Sequence, residues 1–267
     1  MATRDDVERL AAANRRVRLL ALRELRQIWD FADPSDAVAI RALVDEAMPS
    51  LVAKYGDVAA TVAADFYDEM RLQAGVPGTF TARLSSPAPA EAVVKSSRWA
   101  IGPVFSETPD GEKALGRLVQ VLDRKALQQG RDTIVASASM DPSRVGWARV
   151  PSGAETCAFC LTMASRGAVY TSKVRASVVG PGPGRGRPRG YIPPGYGSGG
   201  GGSRRPPGEA YHADCDCTAT PIWSGQPYPD GYDPDALYQT YRQARDEAGS
   251  GDLKKVLSKL RETQGTN

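Results

Sequence analysis

All four cysteines and the one histidine of this 267-residue chain lie in a single segment, from Cys157 to Cys217. Cys157 and Cys160 form a Cys-x2-Cys pair, and after a long gap His212, Cys215 and Cys217 follow. A Cys-x2-Cys turn can direct two thiolates at one point, and zinc prefers four sulfur or nitrogen ligands in a tetrahedron. The spacing therefore predicts a structural zinc site with about one zinc per chain.

Five candidate ligands compete for four positions around such a metal. We favour Cys157, Cys160 and His212, completed by either Cys215 or Cys217. Residues two apart on an extended strand point to the same side, so spacing does not choose between the last two cysteines. The alternatives to a metal are disulfides and free or catalytic thiols. The N-terminus lacks the basic-then-apolar pattern of a signal peptide, which favours the metal over disulfides.

The same residues argue against catalysis. A shell of four protein ligands leaves no position for a reactive water. Zinc deaminases carry H-x-E before C-x-x-C, whereas here the order is reversed and Asp214 stands where the Glu is needed. A zinc-bound His212 also removes the base of any Ser-His-Asp triad, because the chain has no other histidine. We therefore expect a protein that is not an enzyme.

Two alternative functions remain open on the sequence. One is a zinc-dependent enzyme or toxin-like effector acting on nucleic acid, in which Asp214 or Glu155 would be the first catalytic acids to test. The other is a zinc-ribbon adaptor that binds DNA without catalysis, through basic residues between 185 and 205.

The two cysteine segments resemble the Mu F-like minor head proteins of tailed bacteriophages, in the form found in phages of actinobacteria. The resemblance rests on residues 149–170, with C-x-x-C followed by Gly167, and on residues 211–217, with H-x-x-C-x-C after a variable insert. It spans roughly Trp147 to Trp223. It implies a minor capsid component of the virion, in the capsid interior or at the portal vertex, made in the host cytoplasm. Its partners would be the portal protein, the major capsid protein or both, and it would act in head assembly or genome delivery.

Composition limits the other interactions of the chain. Hydrophobic residues make up 41%, enough for a core, and no stretch approaches 18 uninterrupted apolar residues, so we expect no membrane partner. The net charge is +3, and residues 1–150 contribute nothing to it, with 20 basic against 20 acidic side chains. The chain therefore lacks a global field that would steer nucleic acid.

The positive charge is concentrated in a low-complexity insert at residues 180–208, which has 12 Gly, 7 Pro and 5 Arg. This composition predicts disorder, since the ordering entropy is not offset by apolar burial. A weak contact with packaged DNA is one hypothesis for the insert, and a solvated loop is the alternative that we favour. The five arginines are Arg185, Arg187, Arg189, Arg204 and Arg205.

The elements that position these residues predict an α+β fold. We expect a helical bundle or arm over 1–143 that contacts portal or capsid, a zinc-binding domain over 144–225, and C-terminal helices over 226–267. Apolar periodicity predicts helices at 5–31, 90–101, 112–138, 157–166, 234–248 and 252–261. A further helical stripe runs from Ile40 to Met70, with Ser35 as a candidate cap before it, a kink or a break into two helices at Pro49, and a Gly/Pro-marked break at 75–78. Strands are predicted at 145–150, 168–170 and 218–223.

Overall fold

The computed structural model describes residues 1–33, 36–143, 145–153, 156–168, 215 and 217–265. The predicted insert at 180–208 with its five arginines, the residues His212, Asp214 and Glu155, and most of the predicted strand at 168–170 lie outside the described residues. The described part is mainly helical and contains one two-stranded sheet, so the predicted α+β class is confirmed.

Seven α-helices, one 3-10 turn and two strands make up the described fold. The helices are α1 (Arg4–Trp29), α2 (Ala37–Gln73), α3 (Ala90–Ala100), α4 (Gly111–Met140), α5 (Ala158–Ala164), α6 (Pro234–Glu247) and α7 (Leu253–Gln264). The 3-10 turn is Gly102–Phe105, and the strands are β1 (Val145–Val150) and β2 (Thr218–Trp223). None of the described helices has both the length and the apolarity that crossing a bilayer requires.

Local chemistry explains where the helices begin. At α1 the Asp6 backbone N–H donates to the Thr3 hydroxyl, while the Thr3 backbone N–H donates to the Asp6 carboxylate, which is a capping box. Asp110, Asp233 and Asp252 each accept a backbone N–H at the start of their own helices. These side chains satisfy N–H groups that have no partner within the helix.

α2 runs as one helix through Pro49, so the break into two helices does not occur. Proline removes one backbone hydrogen bond and crowds the preceding turn. Met48, Leu51 and Val52 on either side of it are almost fully buried in the core of the bundle. Their packing holds the helix together across the proline.

The sheet is an antiparallel pair in which Val145 lies opposite Trp223 and Val150 opposite Thr218. All residues of both strands are buried. One face carries Trp147 and Trp223 into a core shared with α1, α2 and α4. The other face carries Ala148, which packs near α5. Because both faces are covered, the strands lie between two layers of helix.

The predicted boundary at 143/144 therefore falls between α4 and β1, two elements whose side chains share one core. A separate core formed by α1, α2, α3 and α4 contains none of the sheet residues. α6 and α7 pack on each other and on α5 through Ala158, Tyr241 and Val256. This arrangement fixes α5 between the sheet and the C-terminal helix pair, and α5 carries the first two cysteines.

Candidate metal centre

The Cys-x2-Cys pair lies at the start of α5. Cys157 is the N-cap residue, and its Sγ accepts the backbone N–H of Cys160 at 3.3 Å. Cys160 falls in the first turn and is 2% exposed. The second pair, Cys215 and Cys217, comes directly before β2. The antiparallel register places the start of β2 beside the end of β1. The chain runs from the end of β1 into α5.

Three sulfurs converge where these segments meet. The Sγ atoms of Cys160, Cys215 and Cys217 all lie within 4.8 Å of one another, and all three residues are buried. The Sγ atoms of Cys160 and Cys215 are 3.2 Å apart, and Cys157, partly exposed, packs against the cluster. None of these four cysteines forms a disulfide. Sulfurs around a tetrahedral zinc with bonds of about 2.3 Å would be about 3.8 Å apart, so this cluster can bind a metal.

Crowded sulfurs perturb each other's ionisation. Hydrogen bonds from Cys160 and Cys217, with added attraction from Arg131 and Arg149, hold the pKa of Cys215 well below its usual range. Contacts with Cys157, Cys215 and Cys217, together with burial, raise the pKa of Cys160. One thiolate therefore forms at the expense of its neighbour. A bound cation relieves this competition, because metal ligation favours the thiolate form of every cysteine in the shell.

Two buried guanidinium groups border the cluster. Arg149 in β1 is fully buried and donates through Nη2 to Sγ of Cys160 at 3.5 Å and to Sγ of Cys215 at 3.6 Å. Arg131 in α4 donates through Nη2 to the carbonyl oxygen of Cys215 at 2.8 Å. A cation this deep in the protein stabilises negative charge on the sulfurs that it faces.

Neither Arg149 nor Arg131 is among the site residues that the sequence predicted. A signal for Arg149 was available, since it interrupts the strand sequence Val-Gly-Trp-Ala-Arg-Val with a charge. A charged residue that is fully buried needs an opposite charge or hydrogen-bond acceptors nearby. Nothing comparable marks Arg131, because arginines are common throughout the helical sequence.

Of the five predicted ligands, the structure brings together Cys160, Cys215 and Cys217 and packs Cys157 beside them. His212 lies outside the described residues, so the predicted ligand set as a whole stays a prediction. Both cysteines of the second pair face Cys160, as two residues of an extended segment at spacing two are expected to do.

The space beside the cluster is small. A cavity of about 20 Å³ lies between α1, α4 and the second cysteine pair, bordered by Arg18, Asp123 and Arg131. This volume accommodates about one water molecule.

Comparison with known proteins gives two further findings. The model of the VG15 protein family matches residues 1–244, which include the bundle, the sheet and all four cysteines. The Gene 15 protein of Mycobacterium phage D29 is 32% identical over 133 residues, which cover 49% of this chain and 48% of the relative. The Gene 15 protein of Mycobacterium phage L5 is 30% identical over 134 residues, which cover 49% of this chain and 45% of the relative. The chain thus spans about half the length of these curated relatives, and no solved structure matches it.

Proposed function

Because the chain belongs to the VG15 protein family, we propose that it is a minor capsid protein of a tailed bacteriophage, associated with the portal and acting in head assembly or genome delivery. Two lines of support converge. The relatives that it matches are proteins of mycobacteriophages. Independently, its C-x-x-C and H-x-x-C-x-C segments resemble those of Mu F-like minor head proteins. The portal and the major capsid protein are the proposed partners, and the virion is the proposed location.

The cluster of buried sulfurs carries the chemical part of the proposal, which is that the chain holds one structural zinc. Thiolates suit zinc, which has no geometric preference of its own and takes four sulfur or nitrogen ligands. Cys157, Cys160, Cys215 and Cys217 supply a set of four, and His212 is the alternative to one of them. The metal would tie the start of β2 to α5, two segments more than 50 residues apart in the chain. That crosslink would add folding free energy at the end of the sheet.

We propose that this zinc has a structural role and that the protein is not an enzyme. The burial of the three clustered sulfurs supports this, because a catalytic zinc keeps one position open to water and substrate. A DNA-cleaving or deaminating activity that needs the bound zinc would overturn this part of the proposal.

Purified particles of the phage that encodes the chain test the capsid role. Quantitative mass spectrometry should detect the chain at a fixed ratio to the portal protein, at far lower copy number than the major capsid protein. Deletion of the gene should yield unstable heads or particles that fail to deliver DNA, and the gene supplied in trans should restore them. Normal infectious yield without the gene, with none of the chain in wild-type particles, would refute the role.

Elemental analysis of the purified chain tests the metal. We expect about one zinc per chain, and a Co²⁺-substituted sample should show the charge-transfer bands of thiolate ligands. The His212→Ala variant then separates the two ligand sets, because a site of four cysteines keeps its zinc and its spectrum. A folded chain purified without any metal would refute the zinc site.

A further inference from the structure

The outward side of α1 combines positive charge with exposed leucines. Arg15, Arg16, Arg23 and Arg26 are exposed there, and between them Leu19 is 65% and Leu20 56% exposed. At 100° per residue these six side chains fall within an arc of about 140°. We call this set the α1 outer face. The buried residues of this stretch, Val17, Ala21 and Leu25, lie on the opposite side of the helix.

Between residues 15 and 26 the α1 outer face carries no acidic residue; on the same side of the helix, the nearest ones are Glu8, which pairs with Arg4, and Asp30 at the C-cap. Glu24 turns away from the α1 outer face, accepting hydrogen bonds from Lys54 Nζ and from the Tyr55 hydroxyl on α2, each at 2.6 Å. Arg18 lies outside the arc and pairs with Asp123 at 3.2 Å. Within the part of the chain that the structure describes, the four arginines of the face form no ion pair. The face therefore presents four positive charges in 12 residues.

The combination of arginines and exposed leucines limits the kinds of partner that could bind the α1 outer face. A phosphate backbone would match the arginines but would leave both leucines in water. A second copy of α1 would match the leucines but would place arginines against arginines in a two-fold contact. Residues 169–214 do not complement the face either, because they carry seven Lys and Arg against two Asp and Glu. A helix with acidic and apolar residues on one face satisfies both features.

We propose that the α1 outer face docks an acidic amphipathic helix of a partner protein. Arg16 and Arg23 are seven residues apart, or about 10.5 Å along the helix, so we expect two partner carboxylates at the same spacing with apolar residues between them. The inference rests on the proposed function in seeking that partner in the phage head. It adds the face that makes the contact and the chemistry that the partner presents.

A photo-crosslinking amino acid at the centre of the face tests the proposal in the full-length chain. Leu19→p-benzoylphenylalanine, introduced during phage infection, should crosslink to one protein at a helical peptide with net negative charge. Leu72→p-benzoylphenylalanine is the control, because Leu72 is 81% exposed but lies on α2. It should not give the same product.

Charge reversal tests whether the arginines make the contact. Combining the crosslinker with Arg16→Glu and Arg23→Glu should reduce the crosslink at least tenfold, and circular dichroism should be unchanged because both side chains are exposed. The matched control reverses two exposed lysines on α7, Lys254→Glu and Lys255→Glu, and should leave the yield as it was. A tenfold loss corresponds to about 1.4 kcal/mol of binding free energy.

Several outcomes would overturn the docking proposal. Crosslinks from position 19 to DNA or lipid would do so, as would a protein crosslink that is insensitive to the arginine changes or that maps to a basic or uncharged segment. The proposed function fails separately. If the chain is absent from particles but still crosslinks to an acidic helix in infected cells, the capsid role is refuted and the docking proposal stands. Particles that contain the chain but give no crosslink at position 19 remove the docking face only.

Discussion

Arg149 combines full burial with direct contact to two sulfurs, and this makes it the most informative single side chain of the candidate site. A buried guanidinium is costly unless negative charge or acceptors surround it. Thiolates held by a metal supply that charge, whereas neutral thiols are only weak acceptors. The positions of Arg149 and Arg131 are therefore consistent with a cluster that is anionic in the folded protein.

Replacing Arg149 by leucine tests its role at the cluster. We expect Arg149→Leu to weaken metal affinity about 10- to 100-fold, the usual cost of losing a group that hydrogen-bonds to a metal ligand. Arg149→Lys should retain part of the effect, because it keeps the charge but loses the forked geometry. A competition titration with a chromogenic zinc chelator measures the change. Arg124→Leu, an exposed position on α4, is the control and should bind metal normally. Equal affinity in all variants would show that Arg149 does not tune the site.

A buried ion pair joins Arg71 of α2 to Asp141, the residue that follows α4. Asp141 accepts hydrogen bonds from Arg71 Nε and from the Tyr67 hydroxyl, both at 3.0 Å, and its side chain is inaccessible to solvent. Arg71 also donates to the carbonyl oxygens of Val76, Pro77 and Gly78. This network holds the chain that follows α2 against the end of α4.

Asp141→Asn should destabilise the fold by about 3–5 kcal/mol, because it leaves the Arg71 guanidinium buried without its counter-charge. Burial would raise the pKa of Asp141, but hydrogen bonds from Ser143, Tyr67 and Arg71 outweigh it and hold the pKa below its ordinary value of 3.8. A carboxyl with a lowered pKa in the folded state contributes stability that is present above its unfolded pKa and is lost as pH falls through the folded pKa.

Urea unfolding measured from about pH 7 down to about pH 3 checks both expectations. The wild type should lose stability as the pH falls below about 4, and Asp141→Asn should lack that part of the loss. Exposed Asp65, changed to Asn, is the control and should follow the wild type. A variant with the full acid dependence of the wild type would contradict the assignment to Asp141.

Among the elements, the contact between α2 and α4 depends on two glycines. A Cβ at Gly130 would lie 2.7 Å from the carbonyl oxygen of Ala59, and one at Gly56 would collide with the side-chain amide of Gln129. The first obstacle is backbone, which moves only if the helices separate. The close approach of these two long helices is therefore built into the sequence at Gly130.

Two glycine-to-alanine changes in α4 separate packing from helix propensity. Gly116 has open space around its Cβ position, so Gly116→Ala should stabilise the protein by about 0.5–1 kcal/mol through propensity alone. Gly130→Ala gains the same propensity but should be destabilising by about 1–3 kcal/mol, because it overpacks the helix contact. Thermal unfolding of the two variants measures the difference. Equal stabilisation by both would mean that the helices are not in close contact at Gly130.

The sequence predicted the elements well where local signals were strong. Both strands of the sheet have the predicted bounds, 145–150 and 218–223, and α4 begins and ends within two residues of its predicted bounds. Local patterns allowed a kink or a break into two helices at Pro49, and packing outside the helix preserves one continuous α2 there. They also gave no sign that both faces of the two-stranded sheet are buried, because the helices that cover these faces come from distant parts of the chain.

The candidate site was predictable in its residue types but not in its surroundings. Cysteines are rare and their spacing is informative, so the spacing indicated that the two cysteine segments meet, but it paired Cys160 with Cys157, His212 and only one of Cys215 and Cys217, whereas the structure brings both of these cysteines to Cys160. The guanidinium groups beside it come from β1 and α4, and only the packing of those elements brings them to the sulfurs. Long-range contacts of this kind leave almost no trace in local sequence.

At the scale of the whole molecule, the cysteine cluster is a buried group of its own that borders α4, β1 and α5 and is separate from the core of the helical bundle. The core formed by α1, α2, α3 and α4 contains no cysteine. The two-stranded sheet packs on that bundle through Trp147 and Trp223. α5 packs on α6 and α7 through Ala158, which is next to Cys157 in the sequence. Loss of a metal should therefore act unequally, most strongly on α5 and the C-terminal helices and least on the bundle.

Hydrogen exchange measured with and without a zinc chelator tests this gradient. Removing the metal should reduce the protection of amides in α5, α6 and α7, and to a smaller extent in β2, while the middle of α2 and the first half of α4 keep theirs. Cys160→Ser should reproduce the pattern without chelator, and Leu161→Met, the next residue of α5, should not. The two-stranded sheet should keep part of its protection against exchange, because the face that carries Trp147 and Trp223 packs on the bundle. Equal loss of protection throughout would show that the metal supports the whole fold, and no loss anywhere would show that the cluster holds no structural metal.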